Sequence, residues 1–175
     1  MSILVLKNPK TESYLLTKEK ILSSEFAWVW RHQSTNHTEY DVSKYSNVPY
    51  YSHCFLTAPT KLKIPVITCE HTYAVSNVLL EILQENNISI NSFIRINANC
   101  VHPLENVVNT VPHVDHKFQH KNIIVYLTDA GGKTFVGNDA HDPCEDDVIV
   151  FDGLEEHYLQ TPKDKRRIVI VATFI

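Results

Sequence analysis

The chain has 175 residues, of which 43% are hydrophobic and 21% are charged, a balance that is typical of a globular domain. Its 16 lysines and arginines against 20 aspartates and glutamates give a net charge of −4, which argues against nucleic acid as a partner bound by overall charge. The apolar runs are too short for a signal peptide or a membrane span. We therefore expect a cytoplasmic protein with no membrane partner.

Several classes of site have no support in the sequence. The four cysteines include no C-x-x-C pair, so a zinc ribbon or a thioredoxin-type motif is absent, and we expect the thiols to be reduced. The four glycines form neither a G-x-G-x-x-G nor a Walker-type loop, which removes the common dinucleotide and P-loop sites. We expect a single domain over residues 1–175.

The N-terminal half, residues 1–91, has a mixed pattern. The stretch "TKEKILSSEFAWVW" predicts a helix that begins at an N-cap, Thr17. Its apolar residues at helical spacing are Ile21, Leu22, Phe26 and Val29. The run "VPYYSHCFLT" is typical of a strand, and "EHTYAVSNVLLEILQENN" is typical of an amphipathic helix. We expect extra strands and supporting helices in this half.

A polar and aperiodic segment from Arg31 to Tyr51 separates the first helix from the following strand. It is long for a loop in a compact domain. Four tyrosines stand among its Ser, Asn and Thr residues: Tyr40, Tyr45, Tyr50 and Tyr51. The sequence leaves two interpretations open, a lid over a binding site or a surface loop that only connects two elements.

The C-terminal half, residues 92–175, consists of one strand pattern after another. The β-branched and aromatic runs are "SFIRINANC", "NIIVYLT", "KTFVG", "DDVIVFDG" and "RRIVIVATFI". Turn-rich segments separate them, namely "DAGG" and "NDAHDPCED". Short strands with this punctuation predict a sandwich or a barrel.

The stretch "TVPHVDHKFQH" contains an H-x-D pair, His113 and Asp115. On an extended backbone these two side chains point to the same face, so they could bind one ion together. The best third ligand is His157, which follows the strand "DVIVF". Two histidines and one carboxylate form the facial triad of non-haem Fe(II) oxygenases. The predicted metal ligands, which are also the predicted catalytic residues, are therefore His113, Asp115 and His157.

The other histidines are not expected to bind the metal. His116 and His120 are four residues apart, as on a helix, but Lys117 stands where an H-E-x-x-H hydrolase needs its glutamate. We expect both to be exposed, near the rim of the site. We expect His102 and His141 to lie in loops.

Four features in order resemble the 2-oxoglutarate- and Fe(II)-dependent dioxygenase superfamily, and its prolyl-4-hydroxylase-like branch in particular. They are the H-x-D pair, the stretch "IIVYLTDAGGKTFV", the strand "VIVFDGLEEH" leading to the distal histidine, and the closing strand "RRIVIVATF" with its arginines. The resemblance covers residues 92–175. It implies a β-rich α+β fold, a double-stranded β-helix (jelly roll), with supporting helices from residues 1–91.

The resemblance also implies an activity. Such enzymes use Fe(II), the cosubstrate 2-oxoglutarate and O2, and they couple substrate oxidation to formation of succinate and CO2. We expect a hydroxylase of a peptide proline or another protein side chain, with a small molecule or a free amino acid as the second choice of substrate. Prolyl hydroxylases of this kind close a mobile loop over the substrate, a role that residues 31–51 could fill. The alternatives of another class are a cupin-like metal-binding module and a zinc hydrolase without oxygenase activity.

The far carboxylate of 2-oxoglutarate needs a buried cation, and Arg166 and Arg167 compete for that role. They are neighbours on a strand, so only one can face inward. We favour Arg167, in which case Val169, Val171 and Thr173 face inward with it, while Ile168, Ile170 and Phe174 face the supporting helices. Tyr126 matches a family position whose hydroxyl binds the same carboxylate. Asn97 and Asn99 share one face of their strand and could line the mouth, where the family often has a tyrosine.

Overall fold

The computed structural model describes residues 2–35, 39–57 and 64–175, and this part of the chain contains thirteen β-strands and two α-helices. The helices are α1 (Glu12–Leu22) and α2 (Thr72–Glu85). The strands are β1 (Ile3–Leu6), β2 (Val29–Arg31), β3 (Tyr45–Ser46), β4 (Tyr50–Thr57), β5 (Val66–Ile67), β6 (Phe93–Val101), β7 (Asn109–Thr110), β8 (Lys121–Tyr126), β9 (Thr134–Val136), β10 (Asp139–His141), β11 (Val148–Asp152), β12 (His157–Leu159) and β13 (Arg167–Phe174). Neither helix has the length and apolar character that crossing a membrane requires.

The strands form one large sheet and a smaller layer. The large sheet is antiparallel, in the order β1-β11-β8-β13-β6-β4-β2, with β5 paired to β4. The smaller layer consists of the antiparallel sheet β10-β9-β12 and the parallel pair β3-β7, and the isolated bridges Asn109–Gln160 and His113–His157 join the two. The architecture is a mostly antiparallel β fold with two helices, consistent with a jelly roll.

The closing strand β13 shows how the sequence divides the interior into two parts. Its residues Ile168, Ile170, Ala172 and Phe174 belong to the larger apolar cluster. That cluster also contains the buried face of α2, which is Val75, Val78, Leu79, Ile82 and Leu83, as its spacing predicted. Val169, on the opposite face, packs between the two sheets with Ile124, Ile149 and Phe151. Each fully buried aliphatic or aromatic side chain stabilises the fold by about 1.5–3 kcal/mol, so the alternation along β13 fixes which face meets the helices.

The prediction for the first helix was wrong at both ends. Helix α1 begins almost two turns earlier, because Thr11 is the cap in place of Thr17 and its hydroxyl accepts the backbone N–H of Tyr14 at 3.3 Å. Thr17 lies inside the helix and is buried. The helix ends before Phe26, whose backbone N–H donates to the carbonyl of Ser23 in the turn that follows.

Seven short strands were not predicted, namely β1, β2, β3, β5, β7, β10 and β12, and three of them show why. In β1 the two central residues, Leu4 and Val5, are both exposed, so apolar and polar positions do not alternate. Strand β10 lies inside the segment interpreted as a turn and places His141 at a strand end, where its ring bonds to Asp147. Strand β3 lies inside the segment 31–51 and owes its conformation to pairing with β7. By contrast, every strand predicted after residue 92 is confirmed.

The expectation that His120 is exposed was also wrong. His120 is only 2% exposed, and its Nδ1 lies 2.7 Å from the carbonyl of Phe118. The ring fills the space above Gly153, where the Cβ of any larger residue would come within 2.1 Å of Nε2. The segment that carries His116 and His120 is irregular instead of helical. His120 is therefore a packing residue that needs a glycine opposite it.

We predict that Gly153→Ala destabilises the protein by about 1–3 kcal/mol, because the buried ring of His120 has no space into which it can move. Chemical denaturation measures this change in the free energy of unfolding. A double-mutant cycle with His120→Ala supplies the control, since the cost of Gly153→Ala should shrink once the ring is removed. Equal costs in the two backgrounds would contradict the contact.

Candidate functional site

A cavity of about 150 Å³ lies between the large sheet and the smaller layer. The large sheet contributes residues of four neighbouring strands, β4, β6, β13 and β8, and the smaller layer contributes the two histidines of the predicted triad. The residues that line the cavity are Ser34, Val48, Tyr50, Arg95, Asn97, Asn99, Val101, Thr110, His113, Asp115, Ile124, Thr134, His157, Tyr158, Leu159, Arg167, Val169 and Val171. All three predicted metal ligands are among them.

His113, Asp115 and His157 converge at one end of this cavity. The two histidines face each other across a β-bridge in which each backbone N–H donates to the other's carbonyl, at 3.1 and 3.0 Å. The Asp115 oxygens lie 4.0 Å from Nε2 of His113 and 3.7 Å from Nε2 of His157. One donor atom from each residue lies within 4.8 Å of the other two, so the three could hold one metal ion.

The two imidazoles are oriented for ligation through Nε2. Nδ1 of His113 lies 3.2 Å from the carbonyl of Val111, and Nδ1 of His157 lies 3.2 Å from the carbonyl of Glu155. A proton on each Nδ1 donates to these carbonyls and leaves the Nε2 lone pairs directed at Asp115. Burial lowers the pKa of His157 to about 4, so this imidazole is neutral at pH 7, which is the form that binds metals.

Two residues that sequence reasoning did not assign to the site hold Asp115 in place. Nη2 of Arg95 lies 2.7 Å from Oδ1 of Asp115, and Nδ2 of Asn122 donates to Oδ2 at 3.1 Å. Burial raises the pKa of Asp115, but the Arg95 guanidinium and the imidazole of His157 lower it more, so this pKa lies well below its usual range. The carboxylate is therefore ionised. The sequence did indicate that Arg95 belongs to the site, because Arg95 lies on the same strand face as Asn97 and Asn99.

The other end of the cavity holds a buried cation. Arg167 is only 3% exposed, and its Nη2 donates to the hydroxyl of Thr134 at 2.9 Å. The Thr134 hydroxyl also lies 2.7 Å from that of Tyr126, and the guanidinium carbon lies 5.1 Å from the centre of the Tyr126 ring. No carboxylate among the described residues pairs with Arg167, and its Nε has no partner. Thr134 was missed, because nothing in "KTFVG" distinguishes it from an ordinary strand residue.

Of the two neighbouring arginines, Arg167 lies inside the cavity and Arg166 does not. Arg167 and the following Val169 and Val171 line the cavity, as the favoured alternation predicted. Arg166 is exposed, and its backbone carbonyl accepts the hydroxyl of Thr128 at 2.9 Å. Only one of the two guanidinium groups is therefore available to a ligand inside the cavity.

Asn97 and Asn99 both line the cavity, as their shared strand face indicated. Oδ1 of Asn99 accepts the hydroxyl of Ser52 at 2.9 Å. Oδ1 of Asn97 is buried and accepts no hydrogen bond within the described residues. Buried amide oxygens are rarely left without a donor, so Asn97 is free to receive one from a ligand.

Comparison with known proteins identifies the fold. No protein-family model and no curated protein sequence matches the chain. Among solved structures, a 2OG-Fe(II) oxygenase family oxidoreductase from Burkholderia pseudomallei is 13% identical, with a TM-score of 0.74 over 99% of this chain and 84% of that one. A Trichoplax adhaerens prolyl hydroxylase, solved with a hypoxia-inducible factor peptide, is 11% identical, with a TM-score of 0.59 over 99% and 83%.

A third similar structure is the non-heme alpha-ketoglutarate-dependent epimerase SnoN of nogalamycin biosynthesis. It is 11% identical to this chain, with a TM-score of 0.64 over 99% of this chain and 78% of the epimerase. These proteins share an architecture with this chain at identities too low to transfer a substrate. The resemblance predicted from the sequence is thus confirmed in three dimensions: the chain has the fold of the 2-oxoglutarate/Fe(II) oxygenases.

Proposed function

We propose that the protein is an Fe(II)- and 2-oxoglutarate-dependent oxygenase that hydroxylates its substrate. The observation that carries the proposal is a buried arginine without a counter-ion, Arg167, in the same cavity as His113, Asp115 and His157. An unpaired buried charge costs several kcal/mol, so its retention points to an anionic ligand. A dicarboxylate that reaches from a metal ion to Arg167 satisfies both ends of the cavity.

In this proposal His113, Asp115 and His157 bind the iron. Three protein ligands leave three coordination positions, which accommodate two oxygen atoms of 2-oxoglutarate and O2. A loaded centre of this kind couples oxidative decarboxylation of 2-oxoglutarate, to succinate and CO2, with oxidation of a substrate C–H bond. The protein's own contribution is to keep Asp115 ionised and to orient both imidazoles through their Nδ1 atoms.

The far carboxylate of 2-oxoglutarate binds Arg167 in a charge-assisted pair, with the hydroxyls of Tyr126 and Thr134 beside it. Arg166 has no part in this binding, since its side chain is exposed. Asn97 and Asn99 complete the wall between the two ends. The large sheet and the smaller layer around them correspond, in this proposal, to the two halves of a double-stranded β-helix.

The substrate of first choice is a peptide proline or another protein side chain, since the Trichoplax enzyme of similar fold is a prolyl hydroxylase solved with a peptide. A small molecule or a free amino acid is the second choice. A cupin-like metal-binding module or a zinc hydrolase is less well supported, because neither requires a buried, unpaired arginine in the metal cavity. Formation of succinate from 2-oxoglutarate by the Fe(II)-loaded protein under air tests the proposal, and no succinate above a metal-free control contradicts it.

We predict that His113→Ala and His157→Ala each weaken Mn(II) binding by more than about tenfold, because each removes one of three protein ligands. Isothermal titration calorimetry with Mn(II) as a stand-in for Fe(II) measures the change. His116→Ala is the matched control, since the His116 ring bonds Thr173 outside the cluster. Loss of binding in His116→Ala together with retention in His157→Ala would show that the ligand assignment is wrong.

We predict that Arg167→Ala raises the apparent Michaelis constant for 2-oxoglutarate strongly, because a buried charge pair loses one partner at a cost on the order of 3–5 kcal/mol. Arg166→Ala removes the same charge from the exposed neighbouring position and should change this constant little. Steady-state kinetics of succinate formation compares the two variants. A large effect in Arg166→Ala alone would reverse the assignment, and small effects in both would remove it.

The segment 31–51 remains a proposed lid, and its described part contacts the cavity. The Tyr45 ring lies 5.4 Å from the ring of Tyr158, which lines the cavity and stacks on Phe135. Ser34, Val48 and Tyr50 of the same segment also line the cavity. Residues 36–38 lie outside the described residues. The contact between Tyr45 and Tyr158 would close the segment against the smaller layer when a substrate is bound.

We predict that limited proteolysis of the metal-free protein cuts within residues 31–51, and that Tyr45→Ala accelerates the cut by removing the contact with Tyr158. Tyr40→Ala is the matched control, because this tyrosine of the same segment makes no ring contact with another described residue. Mass spectrometry of the fragments locates the cut. Equal rates in the two variants, or resistance of this segment in the metal-free protein, would contradict a lid held by Tyr45.

A further inference from the structure

Arg95 presents unused hydrogen-bond donors to the cavity. It projects from β6 on the same face as Asn97 and Asn99, and its side chain is 24% exposed. Of its five N–H donors, one contacts the carboxylate of Asp115. Its Nε is buried and has no partner within the described residues. Asp115 therefore leaves part of this guanidinium unsatisfied.

The charges in the cavity do not balance even when iron and cosubstrate are included. The described residues that line it carry two positive side chains, Arg95 and Arg167, and one negative side chain, Asp115, while histidines that ligate a metal do so in the neutral form. Fe(II) adds two positive charges and 2-oxoglutarate adds two negative charges, so they cancel. One positive charge remains, and it lies on the Arg95 side, because Arg167 is taken by the far carboxylate of the cosubstrate.

A second arginine, Arg31, is exposed and lies near the cavity without lining it. Arg31 lies opposite Tyr50 in the pairing of β2 with β4, and Tyr50 lines the cavity. Burial raises the pKa of the Tyr50 hydroxyl, while the nearby charges of Arg31 and Arg95 act to lower it. Arg31 makes no ion pair with any described residue. Two arginines thus border one aromatic hydroxyl on the substrate side of the cavity.

We propose that the substrate carries a carboxylate that binds Arg95 beside the metal centre. This inference rests on the proposed function and narrows its substrate class. A guanidinium that contacts Asp115 through one nitrogen can bind a second carboxylate through its remaining donors. The carbon to be oxidised then lies within a few bonds of that carboxylate. The carboxylate belongs either to an acidic side chain of a peptide or to the α-carboxyl group of a free amino acid.

The test measures binding of matched acid and amide probes to the protein loaded with Mn(II) and N-oxalylglycine, an unreactive analogue of 2-oxoglutarate. The probes are aspartate, asparagine, glutamate and glutamine, each as the free amino acid and as the N-acetyl amide. Capped acids compared with capped amides report a side-chain carboxylate, and free asparagine and glutamine compared with their capped forms report an α-carboxylate. Paramagnetic relaxation of the probe protons by Mn(II) shows whether the bound probe lies beside the metal.

We expect carboxylate-bearing probes of at least one kind to bind about tenfold tighter than their neutral partners and to be relaxed by Mn(II). Arg95→Gln should bring this ratio close to one, and Arg95→Lys should restore part of it. Lys165→Gln, an exposed site that loses the same charge, should keep the ratio of the unchanged protein. The ratios are compared at equal measured loading with Mn(II) and N-oxalylglycine, because loss of the metal ion through Asp115 would itself lower the preference for carboxylates.

The outcomes separate this inference from the proposed function. A protein that binds neither Mn(II) nor N-oxalylglycine overturns the proposed function and the inference with it. A loaded protein that shows no preference for carboxylates, or binds no probe, overturns the inference alone. A preference for carboxylates that persists in Arg95→Gln also overturns the inference alone. A lack of preference or of relaxation in the unchanged protein overturns the inference even if Arg95→Gln fails to fold, and Arg95→Lys then tests the assignment to Arg95.

Discussion

The constraint on which the rest of the structure depends is the buried charge of Arg167, which no carboxylate of the described residues pairs with. A guanidinium that is 3% exposed, with one neutral hydroxyl as its hydrogen-bond partner, costs several kcal/mol relative to a paired charge. A protein of ordinary stability retains such a cost only where function requires it. The side of β13 that carries Arg167 also carries Val169 and Val171 toward the cavity, and the other side packs Ile168, Ile170, Ala172 and Phe174 into the cluster that contains α2. One unpaired charge thus links the fold to the ligand.

The metal end of the cavity depends on a different constraint, the direct pairing of its two histidines across one β-bridge. Because their backbones hold each other, the positions of both rings are fixed by the smaller layer and not by a flexible loop. Asp115 lies two residues beyond His113 and is held from the opposite side, by Arg95 of β6 and Asn122 of β8. The candidate triad therefore lies between the two sheets. The smaller layer positions the two histidines, and strands β6 and β8 of the large sheet hold the aspartate.

The sequence could predict what depends on local patterns. The H-x-D pair and the inward phase of Arg167 follow from period-two spacing, which a strand imposes on any chain. The distal histidine was chosen because it follows a strand that the sequence predicts to be buried. The shared face of β6 could point to Arg95 as a residue of the site, but not as the partner of Asp115, because that contact joins β6 to an irregular segment with no fixed spacing from it. The burial of His120 depends on the small residue Gly153, which lies far along the chain in the turn after β11. Thr11 was overlooked as a cap because a second threonine, Thr17, preceded a more apolar run.

The low identity to proteins of the same fold has a physical explanation in the same contacts. A core between β-sheets requires apolar residues at alternate positions, and many residue types satisfy that requirement, so 11–13% identity is compatible with a shared architecture. The cavity has stricter requirements, because each buried charge must meet an opposite charge from the protein or from a ligand. In the proposed function, iron and 2-oxoglutarate account for the histidine–aspartate cluster and for Arg167. They leave the positive charge of Arg95 without a counter-charge, and the proposed carboxylate of the substrate would balance it.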